Sequence, residues 1–205
     1  MTIDPAAARD RASQRLKDLA QAAYRTATEV SDDIARAAVM VERTLAGGGT
    51  LYFCGNGGSA ADAQHIAAEY VVRYMRDRRA LPAVALTTDT SLLTAAGNDL
   101  GFETIFARQV EAFVTPKDLL VIHTTSGNSP NVLRAAEAAR AKGVAVLALT
   151  ARDGGTLRDL ATHAVVVPVE RTDRAQELHL CIQHLICELI EEHLCGLEHA
   201  EHASA

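Results

Sequence analysis

The sequence contains no tryptophan, and only 4% of its 205 residues are aromatic. Because single-stranded nucleic acids bind by stacking their bases on aromatic rings, this composition argues against such a surface. Basic residues are also in deficit, with 20 lysines and arginines against 26 aspartates and glutamates and a net charge of −6. A chain with this balance and no basic cluster is a poor candidate for binding a phosphate backbone. We therefore expect no nucleic-acid partner, while a local site for a small anion is compatible with the charge.

Long apolar runs and closely paired cysteines are missing as well. No stretch reaches the roughly 18 apolar residues of a membrane span, and the N-terminal segment lacks the apolar core of a signal peptide. The 4 cysteines include no CxxC pair, which is typical of buried thiols in a reducing compartment. We expect a cytoplasmic protein without membrane contact. With 48% hydrophobic residues, the chain suffices for one packed domain and not for a second full one.

The first part of the chain has the pattern of helices. Asp4 and Pro5 predict a helix start, and the alanine-rich pattern continues to about Val30. Residues 31–32 predict the cap of a second helix, which ends at the glycines 47–49.

Beyond residue 49 short apolar runs alternate with helical patterns. The runs predict five strands, at residues 51–54, 83–86, 119–122, 144–149 and 164–169. The helical patterns include residues 60–74, 130–142 and 173–194.

Alternating strands and helices predict a parallel sheet with helices on both faces, joined by right-handed crossovers. The predicted fold class is α/β: a three-layer, doubly wound domain with a five-stranded parallel sheet flanked by helices, and an N-terminal helical extension. We assign residues 1–48 to helices that pack on the core and on an oligomer partner, residues 49–194 to the α/β domain, and residues 195–205 to a flexible tail.

Two loops rich in glycine and hydroxyl groups follow the first and third predicted strands. Residues 55–60 read GNGGSA and residues 124–129 read TTSGNS, and each loop precedes a helix. In α/β proteins ligands bind outside the carboxyl ends of strands, where glycine backbone amides and helix N-termini attract anions. Four hydroxyl groups can donate hydrogen bonds to phosphate oxygens: those of Thr124, Thr125, Ser126 and Ser129. We predict an anion site here, with ligand-free tight turns as the alternative.

A dinucleotide site is a second interpretation of the first loop. Gly55, Gly57 and Ala60 fit the pattern G-x-G-x-x-A, and Asp89 after the second strand could bind a ribose. This interpretation leaves the hydroxyl-rich second loop unexplained. A nucleotide-hydrolase loop is excluded because no GK[ST] follows the glycines.

Titratable side chains follow the first loop and recur on the last predicted helix. His65 and Glu69 are four residues apart and therefore share one helix face. A solvated helix surface is the alternative to a functional pair. On the last helix, Gln176, His179 and His184 stand among apolar residues. We interpret His179 as a core residue with a hydrogen-bond partner.

Taken together, these motifs resemble those of the phosphoheptose isomerases, which are sugar-isomerase-type (SIS) domain proteins. The resemblance covers about residues 35–194 in matching order. It rests on CGNGGSAADAQHIAAE at 54–69, GND at 97–99, TTSGNS at 124–129 and DRAQELHLCIQH at 173–184. It implies the SIS fold and an aldose–ketose isomerisation that converts D-sedoheptulose 7-phosphate to D-glycero-D-manno-heptose 7-phosphate.

The resemblance also implies roles for individual residues. Glu69 is the implied base that moves a proton between C1 and C2 through an enediol, and His184 is the implied acid. The implied metal ligands are His65, Glu69, Gln176 and His184, a donor set that suits one Zn²⁺ per subunit. The implied substrate contacts are Asn56, Gly57, Gly58, Ser59, Arg73, Asn98, Asp99, Thr124, Thr125, Ser126, Ser129, Asp173 and Gln176.

Two of the implied metal ligands lie far apart on the last helix. They can bind the same ion only if both side chains are well aimed or if a second subunit contributes to the site. Gln176 and His184 are eight residues apart, which is about 12 Å along a helix. The resemblance implies a homotetramer with active sites at subunit interfaces, and this would relieve the difficulty. Surface exposure is the alternative for Arg73, and helix capping is the alternative for Asp173.

Two other functions compete with the isomerase. Catalytically silent SIS tetramers that bind a protein such as the replication initiator resemble this chain in both loops, but they lack the full acid–base pair. The presence of Glu69 and His184 therefore favours the enzyme. A SIS sugar-phosphate sensor would carry a DNA-binding helical domain, and we expect no room for one.

Overall fold

A computed structural model describes residues 2–203 of the chain, with side chains described up to Leu194. The N-terminal helices are α1 (Pro5–Glu29) and α2 (Ser31–Ala46). The strands are β1 (Leu51–Gly55), β2 (Ala83–Ala85), β3 (Leu119–His123), β4 (Ala145–Ala151) and β5 (His163–Val167). The helices that alternate with them are α3 (Gly58–Val71), α4 (Thr90–Asp99), α5 (Ala107–Phe113), α6 (Pro130–Ala141), α7 (Gly155–Leu160) and α8 (Thr172–Ala203). A short 3₁₀ turn spans Phe102–Thr104.

The five strands form one parallel sheet, as predicted, and their order in it is β2-β1-β3-β4-β5. Their register aligns Phe53 of β1 with Val121 of β3, and Val121 with Leu147 of β4. Every residue of β3 is buried. Helices cover both faces of the sheet, so the strand has no solvent-exposed face and no alternation of apolar and polar residues. The chain leaves β1 towards β2 on one side and returns to β3 on the other. β1 and β3 therefore flank the point at which ligands bind in such sheets.

Alternate residues of each strand face two separate cores. Phe53 and Val121 face the core that α2, α3 and α8 cover, which includes Ile66 of α3. Leu120 and Ile122 face the opposite core, which the remaining helices cover. The predicted three-layer architecture is therefore confirmed.

The N-terminal helices differ from the prediction at one cap. Asp4 caps α1 as expected, since its carboxylate accepts hydrogen bonds from two backbone N–H groups of the first turn. The predicted cap of α2 at residues 31–32 is wrong: Val30 is the N-cap residue, and no side chain caps the helix. The Ser31 hydroxyl instead donates to the carbonyl of Ala27. The chain thus passes from α1 to α2 with helical hydrogen bonding on both sides of Val30.

The last helix extends beyond its predicted end at Leu194. Its backbone is helical to Ala203, so the predicted tail at 195–205 begins inside α8. Its side chains and its last two residues lie outside the described part, and its flexibility stays a prediction. Within residues 2–203, no helix has the length and apolar content that a membrane crossing requires.

Candidate active site

The two glycine- and hydroxyl-rich loops lie side by side because they follow the neighbouring strands β1 and β3. Together with the start of α8 they line an open cleft of about 240 Å³. The cleft gathers most of the predicted substrate contacts: Asn56, Gly57, Gly58, Ser59, Thr124, Thr125, Ser126, Ser129 and Gln176. No lysine or arginine is among its described lining residues. An anion in this cleft therefore depends on amides, hydroxyls and the N-termini of α3 and α6.

The first loop is shaped by close approaches that need glycine. Gly57 has φ of +57° and is the N-cap residue of α3. At Gly58, a Cβ atom would lie 2.6 Å from Nε2 of Gln176, so any larger residue would displace that side chain. Asn56 is tied to Asn131 of α6 by two reciprocal amide hydrogen bonds of 2.8 and 2.7 Å. The Asn56–Asn131 contact ties the first loop to the start of α6 and, through it, to the second loop.

The second loop is fixed from behind by α7. Gly127 has φ of +64°, and a Cβ there would lie 1.9 Å from the carbonyl oxygen of Gly154. The Oδ1 atom of Asn128 accepts hydrogen bonds from the backbone N–H and the hydroxyl of Thr156, each 2.9 Å long. The loop backbone is therefore held in place, and the hydroxyls of Thr125 and Ser126 lie at the cleft.

A second cluster forms where α3 packs beside α8. Nε2 of His65 lies 3.1 Å from Oε1 of Glu69 and 3.1 Å from Nε2 of His184. One potential ligand atom from each residue lies within 4.8 Å of the other two. Burial lowers the pKa of His184, and the neighbouring His65 lowers it further, while Glu69 acts in the opposite direction. The structure therefore brings Glu69 and His184 together within one chain, while their roles as base and acid stay predictions.

Gln176 lies at the cleft and is not one of the three clustered residues. Its amide packs against Gly58, whereas His184 is more than two helical turns further along α8. The structure therefore brings Gln176 to the predicted substrate contacts. Its role as a metal ligand stays a prediction.

Two predicted substrate residues are engaged in local ion pairs. Nη1 of Arg73 lies 2.7 Å from a carboxylate oxygen of Asp77 at the surface. Asp173 pairs with Arg171, and this hydrogen-bonded pair is the main reason that the pKa of Asp173 is lowered to about 2. Neither side chain lines the described cleft.

Two others lie at the far end of α4. Asn98 and Asp99 are exposed, and the Asn98 amide donates to the Asp99 carboxylate over 2.7 Å. Asp99 borders a separate hollow that includes Leu92 and Arg108. Within one chain these residues do not join the cleft.

Behind the cleft lies a buried polar network, of which the sequence indicated only part. As predicted, His179 is fully buried and its Nε2 lies 3.0 Å from the carbonyl of Thr150. His123 borders the cleft from the core, and its Nε2 is 2.9 Å from the side-chain amide of Gln183. Burial lowers the pKa of His179 to about 4 and, together with His179, that of His123 to about 3. Both imidazoles are therefore neutral, and neither offsets the charge of a bound anion.

The dinucleotide interpretation loses its acidic residue in the structure. The Asp89 carboxylate accepts a hydrogen bond of 2.9 Å from the backbone N–H of Leu92 and thereby caps α4. It is thus occupied by a local structural contact at the helix N-terminus.

Comparison with known sequences points to one family. A family model of the SIS domain matches residues 16–151. The phosphoheptose isomerase of Rhodospirillum rubrum is 53% identical over 163 residues, which are 80% of this chain and 87% of that protein. The phosphoheptose isomerase of Chlorobaculum parvum is 56% identical over 164 residues, covering 78% of each chain.

Solved structures give the same result. A phosphoheptose isomerase from Francisella tularensis superimposes with a TM-score of 0.87 at 36% identity, covering 94% of this chain and 100% of that chain. The phosphoheptose isomerase of Neisseria gonorrhoeae gives a TM-score of 0.85 at 41% identity, covering 90% and 98%. The fold, the paired loops and the sequence identity agree: the chain belongs to the phosphoheptose isomerase family of SIS-domain proteins.

Proposed function

We propose that this protein converts D-sedoheptulose 7-phosphate to D-glycero-D-manno-heptose 7-phosphate. The observation that carries the proposal is the convergence of Glu69 and His184 from α3 and α8, the two helices whose first residues help to line the cleft of hydroxyls and glycines. A SIS protein that only binds a partner, such as the replication initiator, has no use for an acid–base pair. The membership in the phosphoheptose isomerase family supports the same conclusion.

The proposed reaction moves two protons and leaves the carbon skeleton intact. The Glu69 carboxylate takes a proton from C1 of the ketose, the C1–C2 double bond forms, and the former carbonyl oxygen at C2 receives a proton. Loss of the proton on the C1 oxygen then makes the aldehyde as Glu69 returns a proton to C2. His184 is the proposed group that moves the proton between the two oxygens. Such transfers contribute about 10²–10⁴-fold to the rate.

The phosphate group is proposed to lie in the cleft. Thr124, Thr125, Ser126 and Ser129 offer hydroxyl donors there, and residues 56–59 of the first loop line the same space. Neutral donors in fixed positions lose little by reorganisation when the anion arrives. The net charge of −6 of the chain is therefore compatible with an anionic substrate.

We also propose that His65, Glu69 and His184 bind Zn²⁺. Zinc–nitrogen and zinc–oxygen bonds of about 2.0–2.1 Å in a tetrahedron place ligand atoms about 3.3 Å apart. Two of the three separations, those from Nε2 of His65 to Oε1 of Glu69 and to Nε2 of His184, are 3.1 Å and fit this value. When bound, the ion supplies a positive charge that polarises the substrate carbonyl.

A homotetramer with sites at subunit interfaces is part of the proposal. Apolar side chains near the cluster are exposed in the single chain, including Val72 at 68% and Met75 at 66%. On α1, Leu16 is 67% exposed. Exposed apolar surface of this kind marks an interaction site. A partner subunit would also bring further groups, and we propose Asn98 and Asp99, which lie outside the cleft of their own chain, as candidates for such contributions.

The cytoplasm is the proposed location. Cys54 and Cys187 are buried thiols, and the three cysteines with described side chains form no disulfide. Unpaired cysteines are typical of proteins in a reducing compartment.

Isomerase activity is tested by incubating the purified protein with sedoheptulose 7-phosphate, with added Zn²⁺ and after chelation. We expect an aldose product that is resolved from the ketose by chromatography. Glu69→Gln should lower kcat by at least about 10²-fold, whereas Glu137→Gln, at an exposed carboxylate on α6, should not. Absence of aldose under both metal conditions would refute the proposed function.

Metal binding is tested separately. His65→Ala should lower the zinc content per chain after dialysis, and the gain in thermal stability on adding zinc should be lost. At a free zinc concentration of about 100 times Kd, this gain is about 2.7 kcal/mol for a single site. An unchanged zinc content would remove His65 from the ligand set.

A further inference from the structure

The segment that follows α3 is organised by one buried carboxylate of α8. Glu191 is only 1% exposed. Its two oxygens accept hydrogen bonds from the backbone N–H groups of Tyr74, Met75 and Arg76, at 2.8, 2.8 and 2.9 Å. Burial by itself raises the pKa of Glu191, but these three donors and Arg78 outweigh it, so that the pKa lies below its usual range. The carboxylate is therefore charged and fully engaged.

Arg78 connects this carboxylate to the last turn of α3. Its Nε lies 2.9 Å from Oε1 of Glu191, and the two side chains are 1% and 2% exposed. Its two terminal nitrogens donate to the main-chain carbonyls of Glu69, at 2.7 Å, and Tyr70, at 2.9 Å. These carbonyls lie in the last turn of α3, where helices leave such groups unpaired. Arg78 thus holds the backbone of the proposed base itself.

Tyr74, in the same segment, contacts the proposed acid His184. Its ring stacks on the imidazole of His184, with centroids 5.2 Å apart and planes inclined by 14°. A second ring, that of His65, lies at a centroid distance of 5.1 Å from the same imidazole. Since His184 is only partly buried, the tyrosine ring limits how far the imidazole can rotate.

We propose that Glu191 and Arg78 are positioning residues for the active site, and that Tyr74 is the side chain through which they orient His184. The ion pair holds the main chain at Glu69 from one side and the Tyr74 backbone from the other. One buried contact therefore sets the relative placement of base and acid. This inference rests on the proposed function, because it assigns these residues to the same proton transfer and metal site.

The energetic reason is that catalytic geometry tolerates little error. A displacement of about 1 Å costs about 10²-fold in rate. His184 has one aromatic ring on its face and hydrogen-bonds through a single nitrogen in the described structure. Removal of the ring would leave its orientation to solvent and to the His65 contact alone.

The test compares Tyr74→Leu with Tyr74→Phe. The leucine removes the aromatic face, while the phenylalanine keeps it and loses only the hydroxyl. We expect Tyr74→Leu to weaken zinc binding and lower kcat by about tenfold or more, with a smaller change in KM for the sugar phosphate. Tyr74→Phe should restore both values to within about threefold of the unaltered protein.

A readout without metal or substrate makes the test independent of the isomerase assay. In the metal-free protein, the imidazole C–H proton resonances of His184 should show a ring-current shift. Tyr74→Phe should keep this shift, and Tyr74→Leu should lose it. If the isomerase assay fails for the unaltered protein, the proposed function fails, while the resonance and the zinc affinity still decide the positioning role.

Glu191→Gln tests the contacts at the α8 carboxylate, with Glu192→Gln as a matched control. Glu192 is the adjacent residue, and its carboxylate makes an exposed contact of 3.4 Å with Arg76. We expect Glu191→Gln to reproduce the loss of zinc affinity and of the His184 shift, and Glu192→Gln to change neither. If Glu191→Gln does not fold, the Tyr74 pair decides the matter. Equal zinc affinity and an unchanged His184 shift in Tyr74→Leu would overturn the proposal, and so would equal losses in Tyr74→Phe and Tyr74→Leu.

Discussion

The reciprocal contact between Asn56 and Asn131 offers a direct test of how the two loops are held together. Each side-chain amide donates to the oxygen of the other, over 2.8 and 2.7 Å. Asn131 is 2% exposed, while Asn56 borders the cleft. The substitution Asn131→Ala removes both hydrogen bonds without leaving a buried amide of its own.

The expected cost follows from the two hydrogen bonds. A typical bond contributes about 0.5–1.5 kcal/mol, so their loss should lower the free energy of unfolding by about 1–3 kcal/mol. For a chain of this size, that corresponds to a fall in Tm of about 2–4 °C per kcal/mol. Because Asn56 loses its support, the apparent KM for the sugar phosphate should also rise, by up to about tenfold.

A double-mutant cycle with Asn56→Ala isolates the contact. Urea unfolding of the two single variants and the double variant should give a coupling energy of about 1–3 kcal/mol. The control is Arg134→Ala, an exposed residue one turn further along α6, which should change stability by less than about 0.5 kcal/mol. A coupling energy near zero would refute the conclusion that these amides join the loops.

Three further predictions concern stability. Gly127→Ala puts a Cβ at positive φ and 1.9 Å from the carbonyl oxygen of Gly154, so thermal unfolding should show a loss beyond the about 1–3 kcal/mol of backbone strain; an unchanged Tm would contradict this. His123 and His179 have folded-state pKa values of about 3 and 4, below the unfolded value of about 6.5. Their contribution is therefore complete above about pH 6.5 and falls by up to about 1.4 kcal/mol per pH unit and histidine as the pH drops towards the folded values. Urea unfolding from pH 7 to 4.5 should show this slope. His123→Leu should lower the number of protons taken up on unfolding by about one and the slope in proportion; an equal slope in both proteins would be evidence against a buried neutral His123. The Asp118 carboxylate accepts hydrogen bonds from two backbone N–H groups and one hydroxyl. Asp118→Asn should cost about 1–3 kcal/mol in urea unfolding, because the amide nitrogen cannot accept, and a change within the experimental error would contradict the assignment.

The strands were predictable from the sequence, whereas several short helices were not. All five predicted strands exist, with ends that differ by at most two residues. A strand buried on both faces leaves a continuous apolar run that needs no knowledge of its neighbours. By contrast, α5 and α7 have only 7 and 6 residues, too few for a periodic pattern. The N-terminus of α7 also depends on Asn128 from another loop, and such a contact cannot be inferred from local spacing.

The candidate site was predictable in part. The spacing of His65 and Glu69 placed them on one helix face, and the hydroxyl-rich loops identified the cleft. Tyr74, Arg78 and Glu191 gave no local signal, because their significance lies in contacts between α8 and the segment after α3. In the sequence, each is only an unremarkable polar or aromatic residue.

By itself, the sequence determined the alternating α/β architecture and the two glycine- and hydroxyl-rich loops, because apolar runs, glycines and hydroxyls act locally. Its motifs, taken in order along the chain, also resembled those of the family to which the chain belongs. Only the tertiary structure decided that Gln176 lies against Gly58 in the cleft, while His184 on the same helix joins His65 and Glu69. The physical reason is that the distance between side chains on different helices depends on how the helices pack over the sheet. The number of residues between them along the chain does not determine that distance.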